Sequence, residues 1–483
     1  MVRISLCVIA KDEERFLPGC LASVRGAVDD IIVVDTGSTD RSRELAVQGG
    51  ARLFEVPWEE DFAASRNYAI RCVTGGWILQ LDADERLAPG AGPALRSALC
   101  GACFDVGMLP LHDALRVDAS AEEVLSGHAR LGPPMRHPRL LRNAGGLEYH
   151  GIIHESVADW AARRGSRIAP VEASIIHYGN VPAARHHKEK RNLALLRRRC
   201  EANASDAVAF GYLASELLRS GDVEGAWRAS EAGWASFAVQ PAHLSLHRLG
   251  AMRALAELGR GDVDAALETV ERVESRQGPH PELHYLRGRA FELRAEIAGS
   301  GTALRRDLSM QAARYYQAAV HLRDPPPSES IILEVYEPSL LARLGDALLV
   351  ADRAEPALQA YCSALQGSEQ DLRGQLGRAE ATLDLGDPAR VLGLINVLLN
   401  AENNPRGHCG QRSSVSPEAP ACADAWILAA AAASALGAKE DAKLFATRAR
   451  EELPRGLVAP HRHGRLEILL AVLAAGAEHN LEK

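Results

Sequence analysis

The chain has 483 residues, 47% of them apolar but only 5% aromatic, and a formal net charge of −8. That length exceeds what one hydrophobic core usually holds, so two or three domains are expected, and the aromatic-poor, alanine- and leucine-rich composition favours helices. The acidic balance argues against a general nucleic-acid binder, and nine scattered cysteines suggest a reducing compartment rather than a disulfide framework.

From the N-terminus, Ile4 to Ala10 is a short apolar run rich in β-branched residues, which predicts a buried strand. Lys11, Asp12, Glu13 and Glu14 follow at once, so no secretory signal is expected. Helical spacing runs from Glu13 to Val24. Ile31 to Val34 is a second buried strand, and Thr39 or Asp40 can cap a helix ending before Gly49 and Gly50. Ala51 to Val56 is a weaker third strand, Phe62 to Cys72 is helical with Asp61 as its cap, and Trp77 to Leu81 is a fourth strand.

Alternating strands and helices in this order predict a parallel sheet with right-handed crossovers. With spatial order 3-2-1-4, the winding reverses between strands one and four. Ligands bind outside the carboxyl ends of strands at such a point. Ala10, Asp35 and Asp82 arrive there, so a site is expected before any motif is read.

Residues 100–185 are less regular and are expected to add strands and loops over that site. Arg185 to Arg199 is basic and strongly helical. From about Ala207, helix pairs recur with small-residue turns, as in Leu217 to Asp222, Leu255 to Asp262 and Leu383 to Asp387. Tyr315 to Ala318 and Ala357 to Tyr361 fit the second helix of a repeat. The pattern resembles five or six degenerate tetratricopeptide repeats. Asp324 to Pro327 cannot be helical, and Asn403 to Pro420 reads as a surface loop. The expected organisation is an α/β domain over 1–185, a linker helix over 186–206 and a helical repeat domain over 207–483. The alanine-rich stretch from Ile427 to Leu436 is too short for the ~20 residues of a membrane span. A cytoplasmic protein without an integral membrane segment is expected.

Asp82 and Asp84 close the fourth strand as Leu81-Asp82-Ala83-Asp84-Glu85. Like charges about 4 Å apart repel by roughly 4 kcal/mol at an effective dielectric near 20. A divalent cation bridging to phosphate oxygens offsets that. Alone the pattern also reads as an acidic strand exit; its position at the predicted switch point favours the cation. Asp35 ends a buried strand, where a carboxylate can accept from a nucleobase N–H or a ribose hydroxyl, and Gly37 permits a tight turn beside a ligand. Arg66 could reach a phosphate or base, although a solvated helix arginine reads equally well. Cys100-x-x-Cys103 lacks the second pair of ligands a structural zinc site needs. His186, His187, Lys188, Lys190 and Arg191 could meet a diphosphate, but read more readily as a solvated linker helix.

The ordered segments IAKDEE, VVDTGSTD, WEEDFAASRN and GGWILQLDADE resemble family 2 glycosyltransferases of the GT-A fold, in the subgroup joined to tetratricopeptide repeats. The resemblance implies that Asp35 and Arg66 bind the nucleoside end, usually uridine, beside Ala10. It implies that Asp82 and Asp84 serve the metal and diphosphate, Asp84 being the more direct ligand of Mg²⁺ or Mn²⁺. Tyr149 to Ser156 looks like the segment carrying the catalytic base, with Glu155 the candidate and His154 the runner-up. Ile175 to Gly179 looks like the segment whose histidine, His177, completes the metal shell. Structural hydrogen bonding is the alternative for each histidine. The family usually has asparagine where Asp12 stands, so Asp12 receives no role. The implied activity is metal-dependent, inverting sugar transfer from a nucleotide sugar, with a peptide or protein bound by the repeats. Two rivals stand beside it: a repeat scaffold carrying an inactive transferase domain, and a nucleotidyltransferase.

Overall fold

A computed structural model describes residues 2–179, 182–237, 244–299, 301–323, 332–336, 338–369, 371–402 and 421–455, with Arg462, Glu467 and Ala471. Asp324 to Pro327 and Asn403 to Pro420, singled out above, lie outside the described residues, as do the side chains of His186, His187 and Lys188. The chain divides into two compact units, one of residues 1–256 with 326–331, the other of residues 257–325 with 332–483.

In the first unit, β1 (Ile4–Ala10), β2 (Asp30–Asp35), β3 (Arg52–Glu55) and β4 (Trp77–Gln80) alternate with α1 (Leu17–Ser23), α2 (Ser42–Gln48) and α3 (Phe62–Arg71). These four strands are parallel and lie in the predicted order 3-2-1-4. Successive residues of β1 feed opposite faces: Ile4, Leu6 and Val8 join one apolar cluster with Leu17 and Leu21 of α1. Cys7 joins another with Ala63 and Ala69 of α3. Burial on both faces is why these strands read as continuous apolar runs. Helix α1 begins four residues later than its periodicity suggested. Pro18 sits in its first turn, where the missing N–H costs nothing, and Glu13 to Phe16 form a preceding turn.

Residues 85–177 make the sheet mixed rather than purely parallel. They supply β5 (Glu85–Leu87), β6 (Val106–Asp113), β7 (Met135–Arg142), β8 (Ile168–Pro170) and β9 (Ile175–His177), with α4 (Ala91–Leu99), α5 (Ala121–Ser126) and α6 (Ala158–Arg164). The full order is β3-β2-β1-β4-β7-β6-β9-β5, with β8 beside β6. β7 runs antiparallel to β4, and β5 antiparallel to β9 with Glu85 opposite His177. Continuing the first unit, α7 (Pro182–Ala202), α8 (Ala207–Arg219), α9 (Val223–Phe237) and α10 (Leu244–Arg260) follow, the last ending just past the boundary.

The second unit holds α11 (Val263–Gln277), α12 (Pro281–Ile297), α13 (Ala303–Leu322), α14 (Ser339–Val350), α15 (Ala354–Gly367), α16 (Leu372–Asp384), α17 (Pro388–Glu402), α18 (Ala421–Ala435) and α19 (Lys439–Glu452). Large residues on second helices fill gaps left by glycines on first helices. A β-carbon on Gly288 would meet Tyr316 at 2.4 Å, and one on Gly345 would meet Tyr361 at 2.6 Å. These tyrosines are the ones the repeat pattern singled out; both are fully buried, with hydroxyls bonded to Glu292 and Asp346. No helix among the described residues is long and apolar enough to cross a membrane.

Candidate active site

The carboxyl ends of β1, β2 and β4 carry the predicted groups. Ala10 pairs with Asp35 in register, and Leu81 N–H donates to Cys7 carbonyl, which places Asp82 at the same edge. Asp35 and Asp82 are thus two strands apart, about 10 Å by interstrand spacing.

Asp35 is buried. Its Oδ1 accepts from the N–H groups of Gly37 and Ser38, both at 3.0 Å, and its Oδ2 accepts from the Ser38 hydroxyl. Gly37 has φ +99°, a conformation that favours glycine. Ala10 carbonyl accepts from the Thr36 N–H at 2.9 Å and its hydroxyl at 3.2 Å. Asp12, itself at φ +55°, accepts from Thr39 N–H at 2.7 Å, while its own N–H donates to Ser38 Oγ. The Asp12 carboxylate therefore stitches the β1 exit to the β2 exit. Asp40 accepts from the Ser42 N–H at the start of α2, and Asp61 caps α3 by accepting from Ala64 N–H at 2.9 Å.

Around Asp82 the charges interlock. Arg66 Nη2 donates to Asp82 Oδ1 at 2.8 Å, and Arg66 Nε donates to Glu155 Oε1. Arg139, on β7, donates through Nη2 to Asp82 Oδ2 at 3.2 Å and to Glu85 Oε1. Burial alone would raise the Asp82 carboxyl, but Arg66 and Arg139 outweigh it and hold the group well below the usual carboxylate range. Glu85 is pushed the other way, to about 7: burial and the nearby Asp82 charge exceed the pull of Arg139. Two buried donors of this cluster, Arg66 Nη1 and Arg139 Nε, have no hydrogen-bond partner among the described residues. Buried polar groups are nearly always paired, so this pair fits an anionic ligand.

Asp84 and His177 form the next layer. Asp84 is 7% exposed, and its Oδ1 lies 3.6 Å from His177 Nε2. His177 Nδ1 donates to Asp113 Oδ1 at 2.6 Å, an arrangement that turns Nε2 toward a ligand role. Burial would depress this imidazole; Asp113 and Asp84 overcome it and push it up to about 10, so a cation taken at Nε2 would have to displace a proton. A β-carbon on Gly179 would stand 1.7 Å from Asp84 Oδ2, so only glycine leaves that carboxylate face open. Two carboxylates and an imidazole oriented by a third carboxylate are the donor set a divalent cation takes.

Glu155 and His154 lie on a loop closed by reciprocal 3.0 Å backbone bonds between His150 and Ser156. Asn67 of α3 anchors its entry, donating to Tyr149 carbonyl at 2.9 Å and accepting from Tyr149 N–H at 2.8 Å. Phe62 N–H donates to Ile152 carbonyl. The two candidate bases are not brought together. Glu155 meets Arg66, whereas the His154 ring stacks on Tyr212 of α8 at 3.8 Å. Burial, then Arg248 and Arg199, depress His154 to about 3, so it stays neutral.

Sequence reasoning missed Arg139, Asp113 and Asn67, and the burial of Glu85 against Arg139. Arg139 stands between Arg136 and Arg142 at three-residue spacing, which in a strand marks no single face. Asn67 ends the segment WEEDFAASRN and carries no separate signal there. Cys100 and Cys103 are exposed free thiols. Arg191 lies over the Phe62 ring.

An α/β domain whose acidic strand end is backed by arginines leads into a region of paired helices. Residues 5–106 match the model for glycosyl transferase family 2. A TPR repeat-containing protein of Synechococcus elongatus is 31% identical over 416 residues, which cover 79% of this chain and 97% of that one. An uncharacterized glycosyltransferase of Rickettsia felis is 36% identical over 88 residues, 18% of this chain and 31% of that protein. A tetratricopeptide repeat protein of known structure from Parabacteroides merdae covers 60% of this chain and 93% of its own at 15% identity, with a TM-score of 0.37. The chain belongs to the family 2 glycosyltransferases that carry tetratricopeptide-like repeats, and it is a glycosyltransferase.

Proposed function

We propose that the chain is a metal-dependent, inverting glycosyltransferase that moves a sugar from a UDP-linked donor to an acceptor nucleophile. The observation that carries this reading is the pairing of Asp82 with Arg66 and Arg139 beside the contact of Asp84 with His177, with two buried arginine donors left without a partner among the described residues. Asp84, Asp82 and His177 would hold Mg²⁺ or Mn²⁺, which when bound supplies positive charge against the departing diphosphate.

The chain's own groups do the rest. Arg66 Nη1 and Arg139 Nε bind the diphosphate, and Ala10 and Asp35 border the nucleoside. Arg66 keeps Glu155 beside that anion. Glu155 takes the acceptor proton as the acceptor atom attacks the anomeric carbon. The sugar–phosphate bond breaks on the opposite face, and its electron pair leaves with the diphosphate. The helix pairs support a peptide or protein partner, because such repeats present extended surfaces.

A thermal-shift panel of nucleotide sugars, run with Mn²⁺ and again with chelator, tests the reading. A donor at a hundred times its Kd stabilises the native state by about 2.7 kcal/mol. One donor should raise Tm, and chelator should abolish the rise. Asp84→Ala and Glu155→Gln should each stay folded with little transfer. Full activity in Glu155→Gln would remove that residue from the mechanism.

A further inference from the structure

We infer that the first helices after the sheet, α7 and α8, form part of the catalytic apparatus, with Arg199 and Tyr212 as positioning residues for Glu155. This rests on the assignment of Glu155 as base.

The loop from His150 to Ser156 has three supports. Its neck is the His150–Ser156 bridge, and its inner side hangs on α3 through Asn67 and Phe62. Its outer side is held by α7 and α8. Arg199 Nη1 donates to the carbonyls of Ile153 and His154, the two residues before Glu155. The guanidinium lies so close that a β-carbon on Gly151, already at φ +95°, would stand 2.5 Å from Nη1. Arg199 is itself fixed: Nε donates to Asp206 at 2.8 Å, and Asp206 caps α8 by accepting from Ala209 N–H. The same bond therefore ties the end of α7, the start of α8 and the loop.

One turn into α8, Tyr212 takes the His154 ring face to face, with 4° between the planes. Arg248 of α10 lies over Tyr212, 4.2 Å from the ring centroid. His154 holds φ +49°, a strained choice for a residue with a side chain. Such strain persists only where the surroundings over-determine it. The stack and the two capped carbonyls do so, and the very next residue is Glu155, joined to Arg66. A helix region that reads in sequence as linker and first repeat thereby sets the reach of the base.

The test uses the full-length protein. Turnover is read as nucleoside diphosphate released from a mixture of UDP-glucose, UDP-N-acetylglucosamine, UDP-galactose and GDP-mannose with Mn²⁺, and binding as calorimetry with UDP and Mn²⁺. Arg199→Ala and Tyr212→Ala should lower turnover by about a hundredfold, the usual result of misplacing a reacting group by about 1 Å. UDP affinity should stay within about twofold, since neither residue touches the diphosphate cluster, and amide exchange should quicken in the peptide spanning residues 148–157. Tyr212→Phe, which keeps the ring, should restore most of the turnover lost in Tyr212→Ala. In a Glu155→Gln background, Arg199→Ala should cost nothing further, because both changes act through one group. If Glu155→Gln abolishes turnover while Arg199→Ala and Tyr212→Ala leave it intact, the inference fails and the base assignment stands. If Glu155→Gln retains full turnover, the base assignment fails and takes the inference with it. Equal further loss from Arg199→Ala in both backgrounds also overturns the inference.

Discussion

Gly179→Ala probes the proposed cation site with a single methyl group. The new carbon would stand 1.7 Å from Asp84 Oδ2, 2.5 Å from Asp84 Cγ and 3.0 Å from His177 Nε2. Gly179 is not among the glycines with left-handed backbone, so the substitution adds bulk without backbone strain. An ordinary heavy-atom contact needs about 3.5 Å, so the carboxylate must retreat by roughly 1.8 Å. Overpacking of this kind costs about 1–3 kcal/mol of stability. The functional loss should be larger, because a displacement near 1 Å at a reacting centre costs about a hundredfold. Urea unfolding should therefore show a modest loss, while turnover falls at least about a hundredfold and the Mn²⁺-dependent rise in Tm disappears. Wild-type turnover together with a wild-type Mn²⁺ response in Gly179→Ala would refute the assignment of Asp84 and His177 to a cation.

Three further outcomes follow from the same geometry. Arg66→Met leaves buried Glu155 without its cation and half-buried Asp82 with Arg139 alone; breaking a buried pair from one side costs about 3–5 kcal/mol, so chemical unfolding should show a loss toward the lower end of that range and turnover should vanish. Asn67→Ala removes both hydrogen bonds to the Tyr149 backbone, and kcat should fall while affinity for UDP with Mn²⁺ holds; a change confined to affinity would count against this role. His112 is depressed to about 4, first by burial and then by Arg130. Above pH 6.5 it is neutral in both states; between 6.5 and 4 the unfolded chain binds a proton that the folded chain refuses, so stability falls as pH drops through that window. His112→Gln should flatten the loss measured by urea midpoints at pH 7 and pH 5, and an unchanged slope would discard His112 as its source.

Much of the site was legible because its first half is local. Each parallel strand of the opening sheet is one apolar run, each crossover brings the next strand to the same edge, and the acids stand where the runs stop. The 3-2-1-4 order placed Asp35 and Asp82 at one edge before any contact was known. Asp61 as cap and the two repeat tyrosines were equally readable, since capping and small-against-large packing act within a few residues or one helix pair. Helix α1 was overextended because apolar periodicity does not register that Pro18 sets a start.

The amino-acid order alone determined the parallel half-sheet, the acidic pair at its switch point and the recurrence of helix pairs, because strand runs, turns and caps are short-range consequences of residue type. Only tertiary structure decided the rest. β7 slots antiparallel beside β4 and delivers Arg139 to Asp82, β5 meets β9 so that Glu85 faces His177, and α7 lays Arg199 on the loop before Glu155. Those meetings join residues tens of positions apart. Which strand edges and helix faces find each other depends on burying the whole surface, and no local periodicity carries that information.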